Sequence, residues 1–211
     1  MSNITDNLAT ILTVTGLEER DLIALYPYGS RVYATNTFYS DHDYQLVYDP
    51  HFIGDFKDGE QFDSMTGDIS VHVHTIESWQ RHLDNHKIFA LESYSLMNVE
   101  MFKFNLDLPT LRKEISATAS NSWVKAKKKI TVERGQKLNG LKSLFHSFRI
   151  PAFGIQIAEH GKVVDFGVAN HIWDELRVLD LNTISWDTLN EKWKSRHNEL
   201  MTEFRKYAPK E

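Results

Sequence analysis

The sequence predicts an α+β fold, a small mixed β-sheet in the first half followed by a mostly helical C-terminal half. Three observations predict it. Residues 68–74 alternate strictly, with Ile69, Val71 and Val73 on one side and Asp68, Ser70, His72 and His74 on the other. That is the period of a strand with one buried and one open face. Short apolar runs at 22–28 and 44–48 have the length of strands. Beyond residue 106 the pattern turns helical, and Trp186, Leu189, Trp193, Leu200 and Phe204 recur at helical spacing, as a core stripe does.

Taken in order, Thr5 to Val14 reads as a helix with Ile4, Leu8, Ile11 and Leu12 on one side. Leu22 to Tyr28 is an apolar strand ending at Gly29, and Tyr44 to Tyr48 is a second, with Tyr44, Leu46 and Tyr48 on one face. Residues 49–67 hold three of the ten glycines and read as a loop with one hairpin arm. Asp68 to His74 is the alternating strand. Pro109 stands near the start of a long helical region that runs in two pieces to Arg149. Pro151 is expected to break the chain, with a further helix from Ala152 to His160 closed by Gly161 and a short extended piece from Lys162 to Phe166.

Bulk properties narrow the classes of function. At 211 residues, 41% hydrophobic and 25% charged, the chain can bury a real core as an ordinary globular protein. A formal charge of -5 argues against coating nucleic acid with the whole surface and leaves a local basic groove open. The absence of cysteine excludes disulfides, thiolate nucleophiles and cysteine zinc sites, and fits a reducing cytoplasm. The N-terminal stretch lacks a basic region and its apolar run is broken by Thr10, Thr13 and Thr15, so no signal peptide is expected. No run approaches the roughly 18 apolar residues of a membrane span, so a cytoplasmic protein without membrane association is expected.

The stretch that carries chemistry is Tyr28-Gly29-Ser30, then ten residues, then Asp41-His42-Asp43, with a third acid, Asp68, on the alternating strand. Residues i and i+2 of a strand point the same way, so Asp41 and Asp43 present both carboxylates to one side. If the two strands are neighbours, Asp68 joins them. Three such charges repel one another, and a divalent cation removes that repulsion. Hard oxygen ligands select magnesium or manganese, and two ions so held clamp a nucleoside triphosphate and neutralise departing pyrophosphate. The glycine of the Gly29-Ser30 turn lets backbone approach phosphate closely, and Ser30 adds a hydroxyl donor.

The run YGSRVYATNTFYSDHDYQLV resembles the signature of the polymerase-β-like nucleotidyltransferase superfamily. The resemblance implies Asp41, Asp43 and Asp68 as catalytic metal ligands for two Mg2+ ions, Mn2+ being the alternative, with Asp68 helping to deprotonate the attacking hydroxyl. It also implies Gly29, Ser30 and Arg31 at the triphosphate. The segment GDISVHVHTIESWQRHLDNHKIFALES is similar to a bacterial and phage stand-alone subgroup, some of whose members are associated with RNA ligases, with Leu91-Glu92 as its Leu-Glu pair. LKSLFHSFRI is similar to that subgroup's Lys-x3-His-x2-Arg helix, here Lys142, His146 and Arg149 as further substrate-binding residues. The chain departs from the subgroup at Asn85-His86-Lys87, where Asn-Pro is common. The implied organisation is a catalytic core over 1–105 and a helical region over 106–211 closing its cleft. The implied reaction is transfer of a nucleoside monophosphate from an NTP, ATP among them, to a hydroxyl, with an RNA end as acceptor. A protein hydroxyl, a small-molecule hydroxyl and a non-catalytic RNA- or protein-binding role are the rival readings.

Blander readings stand beside these. Lys142, His146 and Arg149 share one helical face, which by itself is a solvated stripe. Residues 125–149 hold Lys125, Lys127, Lys128, Lys129, Arg134, Lys137, Lys142 and Arg149 against only Glu133, a local basic bias that is either a solvated helix or a nucleic-acid groove. His72 and His74 share a strand face, and His82 and His86 fall at i and i+4. Neither pair has a third ligand in view, and both read as surface histidines.

Overall fold

The computed structural model describes residues 4–51, 56–97 and 99–211, with the side chains of residues 4–6 left out. The chain forms two compact units, Met1–Asn105 and Leu106–Glu211. The first contains α1 (Ile4–Thr15), β1 (Leu22–Tyr28), β2 (His42–Tyr48), β3 (Glu60–Asp63), β4 (Ile69–Thr75), α2 (Ile76–Asp84) and α3 (Ile88–Leu96). The four strands make a mixed sheet in the order β1-β2-β4-β3. β1 pairs antiparallel with β2, β2 pairs parallel with β4, and β3 pairs antiparallel with β4. The α+β class with a small mixed sheet is thus observed.

One sheet face builds the core expected from the alternation. Leu25, Tyr44, Leu46, Tyr48, Ile69, Val71 and Val73 pack with Ile11 and Leu17, and Leu8 and Leu12 of α1 lie against them. The expected part of Ile4 in this face lies outside the described side chains. The opposite face is only partly open, with Asp68 exposed and His72 half-buried, where period two predicts a fully open one. Ser70, His74 and Gln45 on it are all buried. Tyr26 stacks on Trp79 of α2 at 5.2 Å, and His74 stacks on Phe89 of α3 at 5.6 Å, so these helices cover the His74 end of the face that the alternation left polar. The polar residues there are satisfied by one another, as with His74 Nε2 and Gln45 Oε1 at 2.8 Å.

The second unit contains α4 (Leu108–Thr131), α5 (Lys137–His160), α6 (Asn170–Leu176) and α7 (Trp186–Tyr207). Asp107 caps α4 by accepting from the Thr110 amide, with proline in the first turn, and Ser185 caps α7 in the same way. Trp186, Leu189 and Trp193 pack with Leu141, Leu144, Phe145 and Phe148, with Leu200 beside them.

Two expectations fail in this unit. Pro151 does not break the chain, and α5 runs through it to His160. An interior proline costs a helix roughly 3 kcal/mol, but its neighbours Ser147, Phe148, Arg149, Ile150 and Phe153 are all buried and packing outweighs that cost. Pro151 cannot supply the Ser147 carbonyl with an amide, and the adjacent Phe148 is held by Trp193 and His197 of α7, whose rings lie 5.6 and 5.4 Å from its own. Residues 162–166 are a loop rather than an extended strand. The Gln156 side chain shapes it, accepting from the Val164 and Asp165 amides and donating to the Asp165 carbonyl.

Candidate functional site

The turn at Gly29 and the parallel ladder set the acids. β1 pairs Tyr28 with Asp43, so the chain leaves β1 beside that carboxylate. β2 pairs His42 with Ile69 and Asp43 with Ser70, and the His42 amide donates to the Asp68 carbonyl at 2.8 Å. Asp41 and Asp68 are therefore neighbours, each one residue before its strand. Continuing the pleat puts Asp41, Asp43, Asp68 and Ser70 on one face. Asp41 and Asp68 are exposed and Asp43 half-buried. The Asp68 carboxylate is turned onto its own hairpin, where Oδ1 accepts from Ser64 Oγ at 2.7 Å and from Thr66 Oγ1. Those two bonds, Thr66 first, hold its carboxyl below the usual range. His42 between the acids is held below the ordinary imidazole value by burial and then by Arg31, against the pull of Asp68 and Asp41.

Gly29 has a left-handed φ of 78°, and a Cβ there would lie 2.1 Å from Asp43 Oδ2. Only glycine accommodates both the conformation and the carboxylate. Gly29–Arg31 is a single 3-10 turn rather than the start of a longer helix. The Arg31 guanidinium is committed locally, with Nε donating to the Asp41 carbonyl at 3.0 Å and Nη2 to the Ser40 carbonyl. It ties the loop to the acids. Tyr33 just beyond donates its hydroxyl to buried Glu92 of α3, a structural role for the Leu91-Glu92 pair. Asn85 hydrogen-bonds back to the Arg81 carbonyl at the end of α2, and His86 takes a left-handed φ of 56° in the turn into α3.

The donor set of Asp41 and Asp43 is all oxygen, and the space left by Gly29 is filled by one of those carboxylates. Both suit a hard divalent ion such as magnesium or manganese. Among the described residues, though, the group of three whose ligand atoms all lie within 4.8 Å of one another is a different one, Asp58, His74 and His82. Asp41, Asp43 and Asp68 are adjacent by strand register without being drawn that tight.

In the second unit, Lys142, His146 and Arg149 all lie on α5 but differ in exposure: Lys142 is exposed and Arg149 buried. The uniform solvated stripe is not what forms. Arg149 Nε donates to His146 Nδ1 at 3.1 Å, and its guanidinium lies 4.9 Å from the centre of the Phe153 ring. Burial, then Arg149, Lys142 and Lys129, push His146 well below the usual imidazole range, so its ring is neutral. The basic segment 125–149 spans the end of α4, a turn and the start of α5, and Lys128 pairs with Glu133 across that turn at 3.0 Å.

The histidines pair differently from the sequence expectation. His86 lies beyond the end of α2 and is buried against Phe104, so His82 and His86 are no helical pair. His74 and His82 converge instead on Asp58. His74 Nδ1 lies 2.7 Å from Asp58 Oδ1, and His82 Nε2 lies 2.9 Å from Oδ2. Partial burial pushes Asp58 up, but hydrogen bonds from His74 and His82 win and hold it below the usual carboxylate value. Asp58 was missed because its partners lie 16 and 24 positions away on other elements. Phe38 and Tyr39 also went unread. Each is 92% exposed, and their rings meet edge to face at 5.3 Å just ahead of Asp41.

Among the described residues, no helix is long and apolar enough to cross a membrane. No family of known proteins matches the chain, and no curated protein does. Among solved structures, a nucleotidyltransferase-like protein from Exiguobacterium sibiricum 255-15 aligns over 97% of this chain and 78% of its own, at 14% sequence identity and a TM-score of 0.34. A likeness that loose decides nothing about activity.

Proposed function

We propose that the first unit is a metal-dependent nucleotidyltransferase that moves a nucleoside monophosphate from an NTP to a hydroxyl acceptor and releases pyrophosphate. The observation that carries this reading is the seating of the Asp43 carboxylate against Gly29, where a Cβ would lie 2.1 Å from Oδ2, at the point where β2 and β4 bring Asp41 and Asp68 together. Asp41 and Asp43 would hold two magnesium ions, with manganese the alternative, and such ions supply neutralisation of triphosphate and departing pyrophosphate. Asp68, kept ionised by Thr66 and Ser64, is the base for the attacking hydroxyl and the third ligand once its carboxylate leaves those hydroxyls. Ser30 offers its hydroxyl to the triphosphate. Arg31 acts by fixing the Ser40-Asp41 backbone. Lys142, His146 and Arg149 are assigned to phosphate binding by the resemblance, and a neutral His146 with an N–H donor is compatible with that role.

For the acceptor we favour an RNA end. The exposed Phe38–Tyr39 pair gives a nucleobase a surface on which to stack, beside the acids that would activate its hydroxyl. The test is incubation with magnesium, each labelled NTP and total RNA, following label incorporation and pyrophosphate. Transfer to RNA is the expected result. In the double variant Phe38→Ala, Tyr39→Ala the KM for RNA should rise about tenfold with little change in kcat, from loss of roughly 1–3 kcal/mol of stacking per base. Label on protein or a small molecule would overturn the acceptor assignment, and no transfer from any NTP to any of these acceptors would overturn the whole reading.

A further inference from the structure

The geometry points to a second, separate metal site formed by Asp58, His74 and His82, suited to a borderline divalent ion such as Zn2+. It rests on none of the nucleotidyltransferase reading. The three ligands come from three elements, the turn before β3, strand β4 and helix α2, and their donor atoms all lie within 4.8 Å of one another. Two imidazoles and a carboxylate are the donor set of zinc sites with one position left to water.

Three further features build the site. His74 Nε2 bonds to buried Gln45 Oε1 at 2.8 Å, so once an ion replaces the proton between Nδ1 and Asp58, Nε2 still donates to Gln45 and the Nδ1 lone pair is left for the ion. A metal-bound histidine that donates its other N–H to an oxygen is the usual arrangement around such ions. Phe89 packs on both imidazoles, stacked 5.6 Å from His74 and edge-on 5.0 Å from His82, and Trp79 lies 5.2 Å from His74. The rings are thereby held in place before any ligand arrives. Finally, His74 is 4% and His82 17% exposed in their side chains, whereas Asp58 is 37% exposed and opens the site to solvent.

The fit needs one adjustment. A tetrahedral ion with bonds of about 2.0–2.1 Å spaces its ligand atoms about 3.3 Å apart, against the 2.7 and 2.9 Å now separating Asp58 from the two histidines. Asp58 lies on an exposed turn beside Gly59 and can retreat by that half ångström. Asp68, one residue before β4, and His74 within it are six residues apart, about 20 Å at 3.3 Å per residue, so the site is distinct from Asp41, Asp43 and Asp68.

Zinc titration of chelator-stripped protein against a chromogenic chelator tests this. Wild type should bind one equivalent with a Kd of about a micromolar or tighter, and His82→Ala and Asp58→Ala should each weaken it at least about a hundredfold. His82 is half-buried and Asp58 exposed, so both variants are expected to fold, with circular dichroism as the check. His51→Ala, on the exposed turn after β2, should leave zinc binding unchanged, as should Asp41→Ala, which separates this site from the proposed catalytic one. Binding weaker than about a tenth of a millimolar, or variants that bind as well as wild type, would reduce the cluster to a hydrogen-bonded clamp and overturn the site.

Discussion

One face of one small sheet carries two groups of titratable residues, and they are built in opposite ways. At the start of β2 and β4, Asp41, Asp43 and Asp68 are all oxygen donors, largely exposed, and brought near by register without converging. Near the far end of β4, His74 meets His82 and Asp58 with its ring packed on Trp79 and Phe89 and its Nε2 tied to Gln45. The first group is suited to a cation that comes and goes with a charged substrate. The second is suited to an ion that stays. Preorganisation by packing, more than the count of ligands, separates them.

The largest effect expected at the acidic end is that of Asp43→Ala or Asp41→Ala. Each should lower the single-turnover rate in magnesium by on the order of a thousandfold with the fold intact. Activity within tenfold of wild type would remove the acids from the site. Next comes Gly29→Ala, which forces a Cβ onto the Asp43 carboxylate. Turnover should fall on the order of a hundredfold, the cost of displacing a reacting group by about an ångström. Gly16→Ala is the control: it shares the left-handed φ, at 69°, but meets nothing within 4 Å. It should cost only about 1 kcal/mol of stability, measured by urea unfolding, and leave turnover alone.

A subtler probe is the double variant Ser64→Ala, Thr66→Ala. Thr66 and Ser64 lower the Asp68 pKa in the free protein, so removing them should move the acidic limb of the kcat/KM profile, which reports the free enzyme, to higher pH. An unmoved limb would mean that Asp68 is not the base.

The smallest effect concerns stability. His146 and His197 have folded values below 6.5, both chiefly through burial. The unfolded chain therefore takes up protons first, and stability should fall as pH drops below about 6.5, by on the order of 1–2 kcal/mol by about pH 5.5. Urea midpoints followed by tryptophan fluorescence check the sign, and His146→Gln should flatten the slope.

The sequence revealed the acidic end and hid the other, for reasons that lie in the chemistry. Asp41 and Asp43 are two residues apart, and Asp68 heads a strand whose alternation announces itself, so short-range spacing alone suggested their shared face. The Asp58 cluster depends on how α2 folds back over β4, which no local period encodes. The alternation was over-read for the same reason: His74 is polar and still buried because Trp79 and Phe89 cover it, and buried Ser70 is partnered by Gln61 of β3. Pro151 misled in the opposite direction, its local helix-breaking cost overridden by the burial around it.

That proline has a consequence for how the second unit comes into being. A ribosome delivers α5 before α7, so for a time the Ser147 carbonyl lacks an amide at 151 while Phe148 beside it lacks the Trp193 and His197 rings. During that interval the helix is best regarded as two short rods meeting at residue 151. It becomes one continuous rod only after the chain past residue 197 has emerged and docked. Nascent chains stalled short of that point should therefore be cut by protease near 151, while the full-length protein resists.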